Sequence, residues 1–209
     1  MTTKTIININ FACNERKRRM TVIGVLSKKF AGRTEKLIRD MFASEGKKTV
    51  RAENAKITRE EMEYFEYAGV DFLILTLKKD SIKPIYLDIL VLERCEDITN
   101  ELIKCVAADT RLIYYAQGDN VPVFVHPNAI SCGMAYKSEA TASSIDYKYD
   151  GISFVYCLQR PVETLEGEIV EAGEKKVYIP NIKSDIDSVI AAVTCSMICG
   201  INVPSKVRL

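Results

Sequence analysis

Hydrophobic positions along this chain follow two rhythms. Up to about residue 120, nearly continuous apolar runs recur at residues 21–25 (TVIGV), 70–77 (VDFLILTL), 87–92 (LDILVL) and 111–115 (RLIYY). Runs of this kind are expected of parallel strands buried on both faces. Between them the spacing becomes helical. Leu37, Ile38, Met41 and Phe42 form one stripe, closed by Gly46. Met62 and Phe65 form a second behind a Thr58–Glu61 capping box and ahead of Gly69, while Ile98, Leu102 and Val106 predict a helix over 97–108. Residues 4–12 read as a short strand, and 47–51 as the start of another.

After residue 120 short alternating segments predict strands at 121–125, 141–147, 152–158, 163–170 and 175–179. Asp150-Gly151 and Ala172-Gly173-Glu174 supply turn chemistry between them. A last helix is expected over 185–199 on the stripe Ile186, Val189, Ile190, Val193 and Met197, closed by Gly200. Strands alternating with helices, then a run of hairpins, predict an α/β fold: a P-loop-NTPase-like, doubly wound, mostly parallel sheet flanked by helices, with an attached small antiparallel β-sheet. One domain over 1–209 is expected, its parallel core from about 20–120 plus 180–203 and its antiparallel part from about 121–179.

Composition narrows the function classes. With 29 basic and 28 acidic side chains, the net charge of +1 gives no global field toward nucleic acid or an anionic membrane. The basic turn at 14–19 (NERKRR) is expected to be solvated surface. No apolar run reaches the length of a bilayer span, and no leader-like segment opens the sequence. Seven cysteines without a C-x-x-C predict reduced, buried thiols, as in a cytoplasmic protein. Cys195 and Cys199 share a helical face, where core packing is expected rather than a redox pair. His126, the single histidine, excludes a histidine metal cluster, and Cys132 six residues on is expected to be a buried thiol rather than its nucleophile partner. Tyr64, Tyr67, Tyr114 and Tyr115 are expected at the core's edge.

The stretch from Met20 to Val50 organises the rest: a buried strand, the polar loop Ser27-Lys28-Lys29-Phe30-Ala31-Gly32-Arg33, then an amphipathic helix. Val22-Ile23-Gly24-Val25 and Gly46-Lys47-Lys48 at this spacing resemble the central domain of the Mur ligases and their relatives, the folylpolyglutamate and cyanophycin synthetases. Ala68-Gly69-Val70-Asp71-Phe72-Leu73-Ile74-Leu75, Leu87-Asp88-Ile89-Leu90-Val91, Ile130-Ser131-Cys132-Gly133-Met134, Asp150-Gly151-Ile152-Ser153-Phe154 and residues 179–201 are similar to further family segments, in the family's order. The similarity spans about residues 20 to 203.

The resemblance implies an ATP-dependent ligase core, and the sequence departs from it at the residues that carry the chemistry. A phosphate loop needs converging backbone N–H groups, a lysine and a Mg²⁺-binding hydroxyl. Without a gap the loop lysine's place falls on Ala31, and the glycines become Ser27 and Phe30. A slipped alignment offers Gly32-Arg33-Thr34, with Lys28 and Lys29 as further cations. These five are the candidate cofactor-binding residues, and no catalytic or metal-ligating residue is assigned.

The family's Mg²⁺-binding glutamate corresponds to Thr76, followed by Lys78 and Lys79; hard cations favour carboxylates. Its T-N motif corresponds to Glu93-Arg94, an asparagine to Tyr115, and paired asparagines to Asp185 and Ser188. By the same resemblance this sequence matches the central part alone, without the N-terminal nucleotide-sugar domain or the C-terminal amino-acid domain. Because ligation in the family falls between central and C-terminal domains, the chain is not expected to assemble that site unaided.

The expectation that follows is a catalytically degenerate Mur-ligase-like domain, a pseudoenzyme acting as a binding or scaffolding module linked to cell-wall or amide-ligase biology. It would have an unidentified protein partner, no nucleic-acid or membrane partner, and no cofactor. One alternative is an ATP-dependent amide-bond-forming ligase core with an atypical loop, using ATP and Mg²⁺. Another is a non-hydrolysing nucleotide or anion sensor.

Overall fold

The computed structural model describes residues 6–8, 20–26, 32–93, 98–116, 123–180 and 185–202. Its strands are β1 (Ile6–Asn8), β2 (Thr21–Leu26), β3 (Thr49–Glu53), β4 (Phe72–Leu77), β5 (Ile89–Leu92), β6 (Arg111–Tyr115), β7 (Val123–Val125), β8 (Ala129–Cys132), β9 (Ala140–Lys148), β10 (Gly151–Leu158), β11 (Val162–Glu163), β12 (Ile169–Val170) and β13 (Gly173–Pro180). The helices are α1 (Arg33–Ser44), α2 (Arg59–Tyr67), α3 (Asn100–Ile103) and α4 (Ile186–Ile198).

Nine strands form one sheet in the order β13-β10-β9-β8-β6-β5-β2-β4-β3. From β3 through β8 neighbours are parallel, with β2 between β4 and β5. The doubly wound, mostly parallel architecture follows from the apolar runs, since a strand buried on both faces has helices above and below. The order reverses at β2, so the carboxyl end of β2 and the start of α1 sit at the sheet's switch point, where such folds bind ligands.

The expected antiparallel part is attached to this sheet edge to edge, so the two are continuous. Strand β9 joins β8 in parallel through the single pair Cys132–Ala140, then runs on past it; β10 and β13 return antiparallel beside it. Gly151 opens β10 at φ 159°, where a Cβ would stand 2.3 Å from the Ile179 carbonyl oxygen, so no other residue fits that turn. Residues 163–170, expected as one strand, are two short ones, β11 and β12, paired only with each other. The 121–125 segment also lies elsewhere than expected: β7 pairs in parallel with β1, outside the large sheet.

Two cores flank the sheet. On one face α1 and α4 cover Ile23, Val25, Ile74, Val91, Ile113 and Ile130. Phe42 of α1 meets Phe72 of β4, ring centroids 4.3 Å apart. α4 is buried beyond its expected stripe: Ala191, Ala192, Thr194, Cys195 and Ser196 are all covered, so small residues let it lie close to α1. Ser196 and Thr194 satisfy their hydroxyls on carbonyls four residues back, which lets polar residues sit in this core.

The other face carries Leu73, Leu75, Leu77, Leu90 and Leu92 beneath α2, the 82–87 segment and α3, whose Leu102 packs into this core. Thr58 and Glu61 close the reciprocal capping box that opens α2. The helix buries no residue fully, however, and Tyr64 (66% exposed) and Tyr67 (92%) point to solvent, correcting their expected place at the core's edge; Tyr114 and Tyr115 are buried. The helix expected over 97–108 is one turn, Asn100–Ile103, capped by Thr99. Beyond it Thr110 takes the Ala107 N–H and donates to the Leu87 carbonyl, trading helical bonds for a turn locked onto the neighbouring strand.

His126 lies before β8 and Cys132 ends it, so the strand separates them and no nucleophile pair forms. The Asn128 N–H donates to Nδ1 of His126, which leaves Nε2–H to donate to the Ala107 carbonyl. Burial, opposed by that hydrogen bond and assisted by Arg111, holds the imidazole below its ordinary 6.5. The unfolded chain therefore binds a proton at a pH where the folded one does not. His126 contributes stability that is whole above about pH 6.5 and declines as pH falls toward the depressed folded value. Thermal melts from pH 7.5 to 5 should show His126→Gln losing less Tm on acidification than the wild type.

Among the described residues Cys105, Cys132, Cys157, Cys195 and Cys199 are buried free thiols. Burial, with the Cys195 thiol beside it, pushes the Cys199 thiol well up, so it remains protonated and unreactive. None of the described helices is long and apolar enough to cross a membrane.

Candidate functional site at the start of α1

The switch point is furnished by α1, α4 and the carboxyl ends of several strands. Gly32 precedes α1 with φ 81°, and the helix starts on Arg33. A Cβ at Gly32 would lie 3.2 Å from Nη2 of Arg51, so glycine serves both the left-handed turn and the close approach of a guanidinium. Of the candidate cofactor residues, Gly32, Arg33 and Thr34 thus stand together at the helix start, where backbone N–H groups and the dipole favour negative charge. Lys28 and Lys29 lie outside the described residues.

Thr34 is fully buried, and its hydroxyl donates to Glu93 Oε1 at 3.3 Å, the first residue after β5. The same oxygen is 3.3 Å from the phenol of Tyr115 at the end of β6. Burial above all, then the neighbouring Cys132, pushes the Tyr115 phenol well above its ordinary value; it stays protonated and acts as a neutral hydrogen-bonding group. Ser188 also touches that phenol and donates to Asp185 Oδ2, the N-cap of α4. Asp187 accepts from the Met134 N–H at the turn after β8. A polar chain therefore runs Asp185–Ser188–Tyr115–Thr34–Glu93 across the carboxyl ends of three strands.

Glu35, one residue along α1, is fully buried, and neither carboxylate oxygen has a hydrogen-bond partner. Arg51 of β3 donates through Nε to Thr76 Oγ1 at 3.3 Å, and Lys78 pairs with Glu53 at 3.2 Å. Thr76 is the position where the family resemblance puts a metal-binding carboxylate. A hydroxyl that accepts from a guanidinium there does not suit a divalent cation, because the fixed positive charge opposes a second one nearby. Among the described residues no three His, Cys, Asp or Glu side chains gather as a metal site would require. Among the described residues at the start of α1, none supplies the carboxylate a Mg²⁺ ion would take at Thr76; Lys28 and Lys29 of the preceding stretch lie outside them.

Glu93 and Tyr115 are expected by the family resemblance only as departures from its motifs, and Glu35 and Arg51 carry no signal in the sequence that points to a site.

No family model matches the sequence, and no curated protein does. Solved structures do. The UDP-N-acetylmuramoylalanyl-D-glutamyl-2,6-diaminopimelate–D-alanyl-D-alanyl ligase from Acinetobacter baumannii superposes over 90% of this chain with TM-score 0.62 at 11% identity. A UDP-N-acetylmuramoyl-L-alanyl-D-glutamate–2,6-diaminopimelate ligase matches over 91% with TM-score 0.57, also at 11% identity. The MurF ligase from Thermotoga maritima, solved in complex with ADP, matches over 91% with TM-score 0.53 at 10% identity. The match covers 45%, 45% and 48% of those chains, so this chain spans under half of each. The fold is Mur-ligase-like.

Proposed function

We propose that the chain is a Mur-ligase-like domain that binds without ligating, a scaffolding module related to cell-wall or amide-ligase chemistry. One observation carries this: Arg51 donates to Thr76, placing a fixed guanidinium where the resemblance expects a metal-binding carboxylate. Phosphoryl transfer relies on preorganised cation and metal contacts with the developing charge. Here the equivalent hydroxyl of Thr34 is engaged by Glu93 and Tyr115, and two carboxylates stand at or beside the helix start.

A specific observation favours a second reading. The Arg51 guanidinium beside Gly32, with Arg33 at the helix start, would suit a metal-free anion, so a non-hydrolysing nucleotide or anion sensor stays in play. The structural likeness to a ligase solved with ADP is compatible with it.

Calorimetric titration with ATP, with and without Mg²⁺, separates the readings. The scaffold reading expects no binding tighter than about 1 mM and no hydrolysis. Binding in the micromolar range without Mg²⁺ that Arg51→Ala abolishes would establish the sensor. Binding that requires Mg²⁺ and is lost in Lys28→Ala/Lys29→Ala/Arg33→Ala would overturn both in favour of a ligase core.

A further inference from the structure

At the opposite end of the sheet, by the amino ends of β6 and β8, the β11–β12 hairpin covers a cavity of about 220 Å³. The Leu165 N–H donates to the Ile198 carbonyl, which holds the hairpin against the end of α4. Ile130, Val162 and Ile198 give the cavity an apolar wall, and Arg111, Arg160 and Glu163 a charged one.

The two arginines differ. Arg160 is spent on the fold, with Nε on Glu139, Nη2 on the Ala129 carbonyl and Nη1 on the Pro161 carbonyl. Arg111, whose side chain is only 12% exposed, uses Nη2 alone: it donates to the Thr164 carbonyl at 3.2 Å and pairs with Glu163 at 3.3 Å. Its Nε is buried and has no acceptor. A buried guanidinium N–H left unmade is costly, and the cavity is bordered by the side chain that carries it. Glu163, half exposed at 50%, can turn to solvent with little loss, because an exposed ion pair contributes little.

We propose that this cavity is a binding site for a small monocarboxylate with a short apolar tail. The planar carboxylate takes the Nε side of Arg111 bidentately and displaces Glu163, while the tail lies against Ile130, Val162 and Ile198. With Glu163 turned to solvent, the ligand carboxylate takes its place as the single counter-charge facing Arg111. A phosphate dianion would add negative charge near Glu139 and an apolar wall, where it is not compensated. The site is separate from the residues at the start of α1 and does not depend on their function.

The test is a titration of the full chain with isovalerate, following the arginine Nε–H signals by nitrogen–proton NMR. Isovaleramide and inorganic phosphate serve as matched controls. The expected result is a saturable shift of the Arg111 Nε–H signal with isovalerate only. The signal is assigned by its loss in Arg111→Lys. Glu163→Gln, which removes the competing carboxylate, should tighten isovalerate about threefold or more. Val162→Phe, which fills the cavity and leaves Arg111 in place, should abolish the response. An equal response to the amide or to phosphate overturns the proposal. So does the absence of any shift, or an affinity that neither Glu163→Gln nor Val162→Phe changes.

Discussion

Phe42→Ala is expected to cost about 3–5 kcal/mol of folding stability, the range for emptying a fully buried aromatic site. Phe42 has no exposed surface, and its ring lies tilted against Phe72 with centroids 4.3 Å apart. Its carbonyl also accepts the N–H groups of Glu45 and Lys47, so the residue ends α1 as well as docking it. The backbone bonds survive the substitution, while the packing that sets the helix over β4 does not. Because α1 and α4 share one core, the space cannot close without moving both. Marginal stability is about 5–15 kcal/mol for a domain, so much of the total is at stake. Urea unfolding should show a lower midpoint with an unchanged slope, and Phe42→Leu should recover most of the loss. A loss below about 1 kcal/mol would mean that α1 is not held on the sheet as described.

Elements whose signals are local were legible in the sequence. The buried runs at 21–25, 70–77, 87–92 and 111–115 became β2, β4, β5 and β6, because a parallel strand needs apolar residues on both faces. Thr58 with Glu61, Gly46 at φ 71° and Gly200 at φ 68° marked helix ends through chemistry confined to a few residues. Where the outcome depended on distant partners, local pattern misled. Ile98, Leu102 and Val106 have helical spacing, yet the helix stops at Ile103 and the chain beyond it is tied to Leu87, whose N–H donates to the Cys105 carbonyl and whose carbonyl accepts from Thr110. The hairpin strands were visible as alternation, but their fusion into one sheet rests on the single pair Cys132–Ala140.

The site divides the same way. Gly32-Arg33-Thr34 stood out as a candidate because loop, glycine and helix start are contiguous in sequence, and the helix begins within that triplet. What surrounds it is assembled across the chain: Thr34 meets Glu93 from 59 positions away and Tyr115 from 81. The Arg51–Thr76 contact bridges two strands that are neighbours only through the crossover of α2. No periodicity links such residues, since each belongs to a different strand end. Glu35 was hidden for another reason. A glutamate in a first helical turn is ordinary surface chemistry, and only its depth in the fold makes it unusual.

That depth leads to an expected gain: Glu35→Met should stabilise the protein by about 1–3 kcal/mol. Both carboxylate oxygens of Glu35 are enclosed and without partners, so the side chain bears a desolvation cost that no hydrogen bond offsets. Methionine has a similar reach, no polar atom to satisfy, and packs on the Ile38 side of the helix without demanding a new cavity. Against this stands the loss of a favourable charge near the helix start, worth about 0.3–1 kcal/mol, smaller than the relief. For a chain of this size a gain of about 1–3 kcal/mol is a rise of roughly 2–12 °C in Tm. The functional half of the experiment is to titrate Glu35→Met beside the wild type with the same nucleotides, with and without Mg²⁺. If a carboxylate at this depth keeps anions away from the α1 start, the variant should bind ATP more tightly than the wild type, by about threefold or more. A variant that melts lower than the wild type would show instead that Glu35 has a stabilising partner, and the account of the cleft would have to change.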